Sequence, residues 1–574
     1  MKVIKFILLL CTLLAKDISS SGLVTALPHP TSASPVSLGL LYGRADTDVT
    51  EGKIGGEWKI VGNSGVEAMH IAVVSHNEIV IIDKVEANPI KQANGNPAIS
   101  TLYNIETNEY RILNLDSDTF CTAGSWFSNG TLLHAGGAEN QFGYNEGYQS
   151  IRFFTPGDGA DWSEIPGGMT SRRWYPAMAT LPSGDVLVFG GAYKGTGKNN
   201  AGINNPTYEI WPAAGGVPEK AFDMPFLTET LPYNLYAFLH VMPNNEGKQI
   251  AFVFVNKQGI LYDFDTATIL KRFPEMPGGH RSYPLTGNSV LLPLNPPYYK
   301  PIVMICGGNT EMEIETLSEA SCGRIDPTED NPQWEMDDFG GVGRVMPDSV
   351  IMPTGKILYL NGAGAGFAGY HRGPNTNPLY VAIKPVLAPS VYDPETKEWS
   401  RFAPSTIPRM YHSVATLVSD GRIFVAGSNP QGDVYTESEF PTEYRVEMFS
   451  PPYLLTGLVR PKITSVGEYT ELNTQRIPVS YGLNVEVTVI SGQDVPNFKA
   501  VVIHHGFVTH SNHFSQRFVS CNIMSAKYLK KRDTSIILTV EMPPYSSILP
   551  PGPSYLYILD NEVPADAAVE LLLN

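Results

Sequence analysis

Three residues able to do redox or metal chemistry hold one position of a repeated pattern. Cys121 precedes the turn Asn129-Gly130, an apolar strand over 131–135 and the pair Gly136-Gly137. Tyr175 stands in the same relation to Ser183-Gly184 and Gly190-Gly191, and His412 to Asp420-Gly421 and Gly427; each lies nine residues ahead of its turn glycine. Tyr411 adjoins His412, and His510 lies far downstream. Imidazole and phenolate donors in a tetragonal arrangement suit Cu(II). Zinc more often takes His, Cys and carboxylates in a tetrahedron, and no acidic residue shares this position. If Tyr411 and His412 both bind a metal, the backbone there must leave the strand at an element end, where functional loops collect. The competing account is structural, since a Tyr or His at a strand start often only packs. The pattern alone leaves both accounts open.

The elements that must position these groups form a repeat. Short apolar strands with turn residues recur over 69–83, 121–137, 175–191, 236–263, 283–308, 346–362 and 411–427. Gly130 and Gly184 are 54 residues apart, near the period of roughly 50 for kelch repeats. Each unit offers about four strands. The pattern therefore predicts an all-β fold whose main part, over residues 45–458, is a seven-bladed kelch-type β-propeller. One position of a radial repeat forms one ring around the axis, which would gather Cys121, Tyr175 and His412. A β-sandwich of similar composition does not account for the period. The glycine pairs read as packing features between blades. The run Gly362-Ala363-Gly364-Ala365-Gly366 lacks the helix pattern and Lys-Ser/Thr of a phosphate loop. Past Pro451-Pro452 the repeat stops. Alternating segments at 477–479, 485–490, 500–503, 517–519, 535–540 and 554–559 predict an immunoglobulin-like β-sandwich over 459–574. Its unusual stretch carries His504, His505, His510 and His513.

Composition agrees. A chain of 574 residues exceeds one ordinary core. Its 53 Gly and 46 Pro lie among apolar runs, which reads as turn-rich β-structure rather than disorder. The formal charge of −17 argues against a nucleic-acid partner. Met1-Lys2-Val3-Ile4-Lys5 followed by the apolar run 6–15 has the form of a signal peptide, taken as residues 1–20, so a secreted, extracellular protein without a transmembrane segment is expected. The cysteines beyond it, Cys121, Cys306, Cys322 and Cys521, allow two disulfides in three pairings. Asn129-Gly130-Thr131 is a glycosylation sequon in a predicted hairpin, with a plain turn as the other reading.

Several segments carry a resemblance to a known group: Met69-His70, the surroundings of Cys121, Arg173-Trp174-Tyr175, Asn234-Leu235-Tyr236 and Cys322-Gly323-Arg324-Ile325-Asp326. To these add Tyr411-His412-Ser413, Arg445-Val446-Glu447-Met448-Phe449-Ser450-Pro451-Pro452-Tyr453-Leu454, and Thr509-His510-Ser511 leading to Gln516-Arg517. Together they make the chain similar to the copper radical oxidases, the galactose oxidase and glyoxal oxidase group, and most to the glyoxal oxidase branch. No added sugar-binding domain is read ahead of the blades, which favours that branch. The resemblance implies one copper ion held by Tyr175, Tyr411, His412 and His510. It further implies a thioether between Cys121 and the Tyr175 ring serving as a protein-derived radical cofactor, with Tyr411 as general base. His510 is preferred among the neighbouring histidines because Gln516-Arg517 follow it at the family's spacing; His504, His505 and His513 are read as structural or surface groups. In galactose oxidase a tryptophan stacks over the thioether; here Tyr193 stands at the matching position. Cys306 and Cys322 look like a disulfide pair, leaving Cys521 unpaired and buried.

The implied activity is oxidation of small aldehydes, as hydrates, to carboxylic acids with reduction of O2 to H2O2. Two alternatives stand beside it: an alcohol or galactose-type carbohydrate oxidase, and a catalytically silent propeller that binds glycans or wall polymers. A small aldehyde or alcohol and O2 are the expected partners, with a peroxidase or the cell wall as further candidates.

Overall fold

The structure is a computed structural model that describes residues 55–371, 379–493, 495–529 and 534–574. The expected leader and the first residues of the expected propeller lie outside them. The described residues form one compact unit. It is all-β, and among the described residues its one α-helix is the single turn Phe226–Glu229.

Four-strand antiparallel meanders follow one another along the chain. They open with the hairpins His70–Ser75/Glu78–Ile82, Ala123–Trp126/Leu132–Ala135, Ala177–Thr180/Val186–Phe189 and Phe238–Val241/Ile250–Val255. The same hairpin returns as Gly287–Leu291/Val303–Gly307, Asp348–Ile351/Ile357–Leu360 and Ser413–Leu417/Ile423–Gly427. Every segment in which the sequence repeats is thus an observed hairpin. The first two strands of a meander are apolar on both faces and buried on both, as in Ala123–Trp126 and Leu132–Ala135. Outer strands such as Trp162–Ile165 and Thr268–Arg272 alternate between exposed and more buried positions. The last meander takes its outer strand from the other end of the chain: Glu57–Asn63 pairs with Arg445–Ser450, Trp58 opposite Phe449.

Two further sheets form the C-terminal part. Lys462–Val466, Asn484–Ile490, Ser535–Glu541 and Ile523–Tyr528 make one; Ile477–Val479, Val569–Leu573, Gly552–Asp560, Phe498–His504 and Arg517–Cys521 make the other. A hairpin, Phe507–Thr509/Asn512–Phe514, leaves the second sheet and adds to the first meander, with His70 opposite Thr509. It touches the first strand of each of the meanders. The histidine-bearing segment is therefore central to the molecule.

Buried arginines tie the strand ends together. Arg173 donates to the Gly190 carbonyl and pairs with Glu209 at 2.9 Å; Arg409 donates to the Gly427 carbonyl and pairs with Glu447 at 2.9 Å. A buried ion pair adds little net stability while intact, but losing one partner leaves a charge without compensation. Arg409→Leu should therefore destabilise the protein by about 3–5 kcal/mol, read as a lower denaturation midpoint in urea.

Candidate active site

Cys121, Tyr175 and His412 sit just ahead of three first strands, with φ of 55°, 60° and 66°. Tyr236 (50°) and Met346 (60°) take the same conformation ahead of two more. L-residues seldom adopt this left-handed region, and such strain concentrates at functional sites when the surroundings enforce it. Here they do. The Tyr175 N–H donates to the Cys121 carbonyl at 2.9 Å, and the Tyr236 N–H to the Tyr175 carbonyl at 3.2 Å, which stitches neighbouring meanders together. A Cβ on Gly427 would collide with the carbonyl oxygens of His412 and Ala68, so glycine is needed for this close approach. His510 arrives on the central hairpin as the first residue of a two-residue loop. His510 (44°) and Ser511 (64°) both have positive φ, as a type I′ turn requires.

The side chains converge. Ligand atoms of Cys121, His412 and His510 lie within 4.8 Å of one another, all buried. His510 Nε2 is 3.4 Å from Cys121 Sγ, while its Nδ1 is held by Thr509 Oγ1 at 2.6 Å, which orients the ring. The Tyr411 ring lies on the His412 ring with centroids 3.8 Å apart, and His510 packs edge-on to both. Tyr283 joins the two phenols: its hydroxyl is 3.1 Å from those of Tyr175 and of Tyr411. Beside these phenols lies a cavity of about 140 Å3, also lined by Phe120, Met312, Phe367 and Tyr370.

Burial sets the protonation states. It pushes the His412 imidazole well down, helped by His510, Lys84 and His70, and lowers His510 to about 3. It pushes the Tyr175 phenol well up, with Cys121 and Tyr283 adding to the effect, and Tyr411 likewise with Tyr283 and Cys121. Neither ring nitrogen of His412 has a hydrogen-bond partner although the residue is buried. Two neutral imidazoles, one with orphaned nitrogens, together with two phenols and a thiol are a donor set that fits copper.

The ring stacked flat on Tyr175 is that of Trp174, at 5.4 Å and 9°. This corrects the placement of Tyr193, which is 40% exposed. Tyr193, two residues past the glycine pair, turns outward, and the neighbour of Tyr175 in sequence covers its ring. His504 and His505 are buried away from the cluster, His504 Nδ1 at 2.5 Å from the His505 carbonyl oxygen; His513 Nδ1 lies 3.2 Å from the Ser349 carbonyl oxygen. Cys306 and Cys322 face each other across two paired strands and are disulfide-bonded. Cys521 is free and buried, its thiol pushed up to about 12 by burial, so it is a poor nucleophile. Asn129 is exposed in its turn.

Sequence reasoning passed over Tyr283, although 283 opens one of the repeated segments. It also passed over a polar layer under the cluster. Thr122 Oγ1 bonds His70 Nδ1 at 3.0 Å and also meets His134 Nε2, while the Tyr236 hydroxyl donates to the Thr122 carbonyl at 2.9 Å.

A fold of successive meanders with a central donor set of His, Tyr and Cys is that of a metal-binding propeller with an appended β-sandwich. The glyoxal oxidase N-terminus family model matches residues 69–453, and the galactose oxidase-like early set domain matches 460–569. Aldehyde oxidase GLOX of Vitis pseudoreticulata is 32% identical over 89% of this chain and 96% of its own. Aldehyde oxidase GLOX1 of Arabidopsis thaliana is 32% identical over 89% and 83%. In fold, the chain matches a fungal alcohol oxidase of the AA5 family in complex with copper, with a TM-score of 0.68 at 20% identity, over 90% of this chain and 99% of that one. The chain belongs to the glyoxal oxidase family. Among the described residues no helix is long and apolar enough to cross a membrane.

The buried histidines give the metal-free protein a defined pH response. Burial lowers His240 and His510 to about 3 and His504 and His513 to about 4. Below about 6.5 the unfolded chain protonates these imidazoles while the native state does not, so stability must fall as pH drops through that window. Buried carboxyls raised to about 7 at Asp118 and about 8 at Asp348 act in the opposite sense. They are neutral in the native state at low pH, and their contribution is lost as pH rises through those values. Denaturation midpoints of copper-free protein should therefore peak near neutrality and decline below about pH 6.

Proposed function

We propose that this protein is a secreted copper-dependent aldehyde oxidase that converts aldehyde hydrates to carboxylic acids and reduces O2 to H2O2. The observation that carries the reading is the buried His412 imidazole with both nitrogens unpartnered, set against His510, Cys121 and the hydrogen-bonded phenols of Tyr175, Tyr283 and Tyr411. The 32% identity to proteins named aldehyde oxidases supports it. We read the seven four-strand meanders as seven blades over residues 45–458, closed into a ring by the pairing of Glu57–Asn63 with Arg445–Ser450, with the sandwich over 459–574. Residues 1–20 are taken as the signal peptide and Asn129 as a glycosylation site.

Tyr175, Tyr411, His412 and His510 are the residues that would hold copper. Bound there, copper together with a Cys121–Tyr175 thioether supplies two one-electron acceptors and a Lewis-acid contact for substrate oxygen. The protein's own groups do the rest. Tyr411 Oη accepts the hydroxyl proton of the hydrate as general base. Tyr283, in hydrogen-bond reach of both phenols, fixes their spacing and gives the proton a second oxygen to move to. Trp174 seals one face of the Tyr175 ring from water. Thr509 holds the His510 tautomer. The balance is RCH(OH)2 + O2 → RCOOH + H2O2, with one C–H and one O–H bond broken on carbon's side.

Mass analysis of copper-loaded, reduced protein should find the Cys121 and Tyr175 peptides joined, with two hydrogens lost and not restored by reductant. Cys121→Ser should abolish the link and H2O2 release on aldehydes. Tyr411→Phe should keep the link and lower kcat by about 10²–10⁴. Peptides that run free after copper loading in air would overturn the reading.

A further inference from the structure

The oxidase reading leaves an electron to account for. An aldehyde hydrate gives up two electrons and O2 takes two, so neither reaction clears a single electron left in the site. Only a one-electron exchange with another species re-arms it. A line of aromatic rings leads outward from Tyr175. The Trp174 ring lies flat on that of Tyr175, centroids 5.4 Å apart, and the Tyr148 ring meets Trp174 edge-on at 6.0 Å. A Cβ on Gly195 would collide with the Trp174 ring, so glycine is required where that loop lies against it. The line ends at the surface. Tyr148 is 4% exposed, and the guanidinium of partly exposed Arg172 sits 4.1 Å from the centroid of its ring. The Tyr148 hydroxyl donates to the carboxylate of exposed Glu139 at 3.0 Å.

That carboxylate sets Tyr148 apart from the tyrosines packed directly on Tyr175. The Tyr236 hydroxyl donates to the Thr122 carbonyl, and that of Tyr283 is shared with the phenols of Tyr175 and Tyr411. A backbone carbonyl does not take a proton outright, whereas a carboxylate does. Burial, with Glu139 adding to the effect, pushes the Tyr148 phenol up, so it is protonated at rest. A phenol that loses an electron becomes a strong acid, and the Arg172 charge over the ring disfavours the cationic form further. Loss of the electron therefore carries the proton to Glu139.

From this arrangement, and resting on the oxidase reading above, we infer that Tyr148 is an electron port: Trp174 and Tyr148 pass single electrons from the Tyr175 ring to a one-electron oxidant outside the protein. The steps balance. The oxidant takes one electron from Tyr148 while the phenol proton moves to Glu139, which leaves a neutral phenoxyl. Tyr148 then draws one electron from Tyr175 through Trp174 and recovers its proton from Glu139. The net change is one electron from the Tyr175 phenolate to the oxidant, with no proton gained or lost. Tyr370 offers a rival exit, since its ring lies 6.3 Å from that of Tyr411. That route starts at the general base and opens into the cavity beside the phenols, where a bound aldehyde would close it.

The test brings copper-loaded protein to the odd-electron state by titration with a mild reductant. It is then mixed with hexachloroiridate(IV), and loss of the oxidant's absorbance is followed by stopped flow. The wild type should take up one equivalent. Tyr148→Phe should take up the same equivalent about tenfold more slowly and, once oxidised, turn over aldehyde as the wild type does. Glu139→Gln keeps a hydrogen-bond acceptor but cannot hold the proton, so it should also slow uptake. Denaturation midpoints and the Cys121–Tyr175 link identify a variant that fails to fold, and the exposed position of Glu139 tests the port without disturbing the packed rings. Uptake as fast in Tyr148→Phe and Glu139→Gln as in the wild type, or slowed by Tyr370→Phe instead, would overturn the inference and leave the oxidase reading intact. A wild type with neither the cross-link nor any uptake of oxidant would sink the oxidase reading, and the port with it.

Discussion

The pairing of His70–Ser75 with Phe507–Thr509 is the interaction on which the site depends. Two backbone-matched residue pairs join the first meander to a hairpin that belongs to the C-terminal part of the chain. Through them, a strand fixed by one sheet carries its tip into the middle of all the others. His510 is the first residue of that tip. Its reach is set by main-chain hydrogen bonds, and its ring by Thr509. The two parts of the chain are therefore not independent modules. Arg476 strengthens the union by donating to the carbonyls of Gly130 and Val74, and Arg517 by donating to that of Val241.

Given that central histidine, the ring of left-handed residues becomes intelligible. A residue in a regular strand would point its side chain between sheets. The turn to positive φ just before Ala123–Trp126, Ala177–Thr180 and Ser413–Leu417 redirects Cys121, Tyr175 and His412 out of the strand pattern and toward His510. The conformation is unfavourable for each of them in isolation. It persists because glycines permit the carbonyls to approach, buried guanidiniums such as those of Arg173 and Arg409 anchor the glycine carbonyls, and N–H groups of one meander bind the carbonyl of the next.

Much of this was legible in the sequence, and the failures have physical causes. The hairpin of each meander could be read because its glycine turn and doubly buried strands leave a strong apolar signature. The count of nine residues from turn glycine to functional residue works where the first hairpin is tight. It fails for Tyr236, whose hairpin runs from Phe238–Val241 to Ile250–Val255 through a long loop. Lys462–Val466 and Ile523–Tyr528 escaped notice because half-exposed strands in a sandwich carry a weak apolar signal. Tyr193 was misplaced because a position relative to a motif does not determine the direction of a loop. The Trp174 ring, one residue from Tyr175, lies on it only because the left-handed turn at Tyr175 folds consecutive side chains together. Tyr283 escaped because nothing in a single tyrosine at a strand start tells a core residue from a bridge between two others.

The electrostatics of the cluster impose a final constraint. Burial, helped by neighbouring groups, drives its phenols toward the protonated form and its imidazoles toward the neutral form, so without a cation the phenols and imidazoles carry no charge. The phenols can then hydrogen-bond through Tyr283, but His412 has no proton donor or acceptor within reach. A buried imidazole with two orphaned nitrogens is destabilising unless something accepts its lone pair. A divalent ion reverses the balance for the phenols and reinforces it for the imidazoles, because its charge favours deprotonated phenol and neutral imidazole together. The same desolvation that makes the metal-free arrangement costly thus makes it selective: it disfavours protons on the lone-pair nitrogens and water around them, and favours a compact ion that accepts one lone pair from each imidazole together with the phenol oxygens.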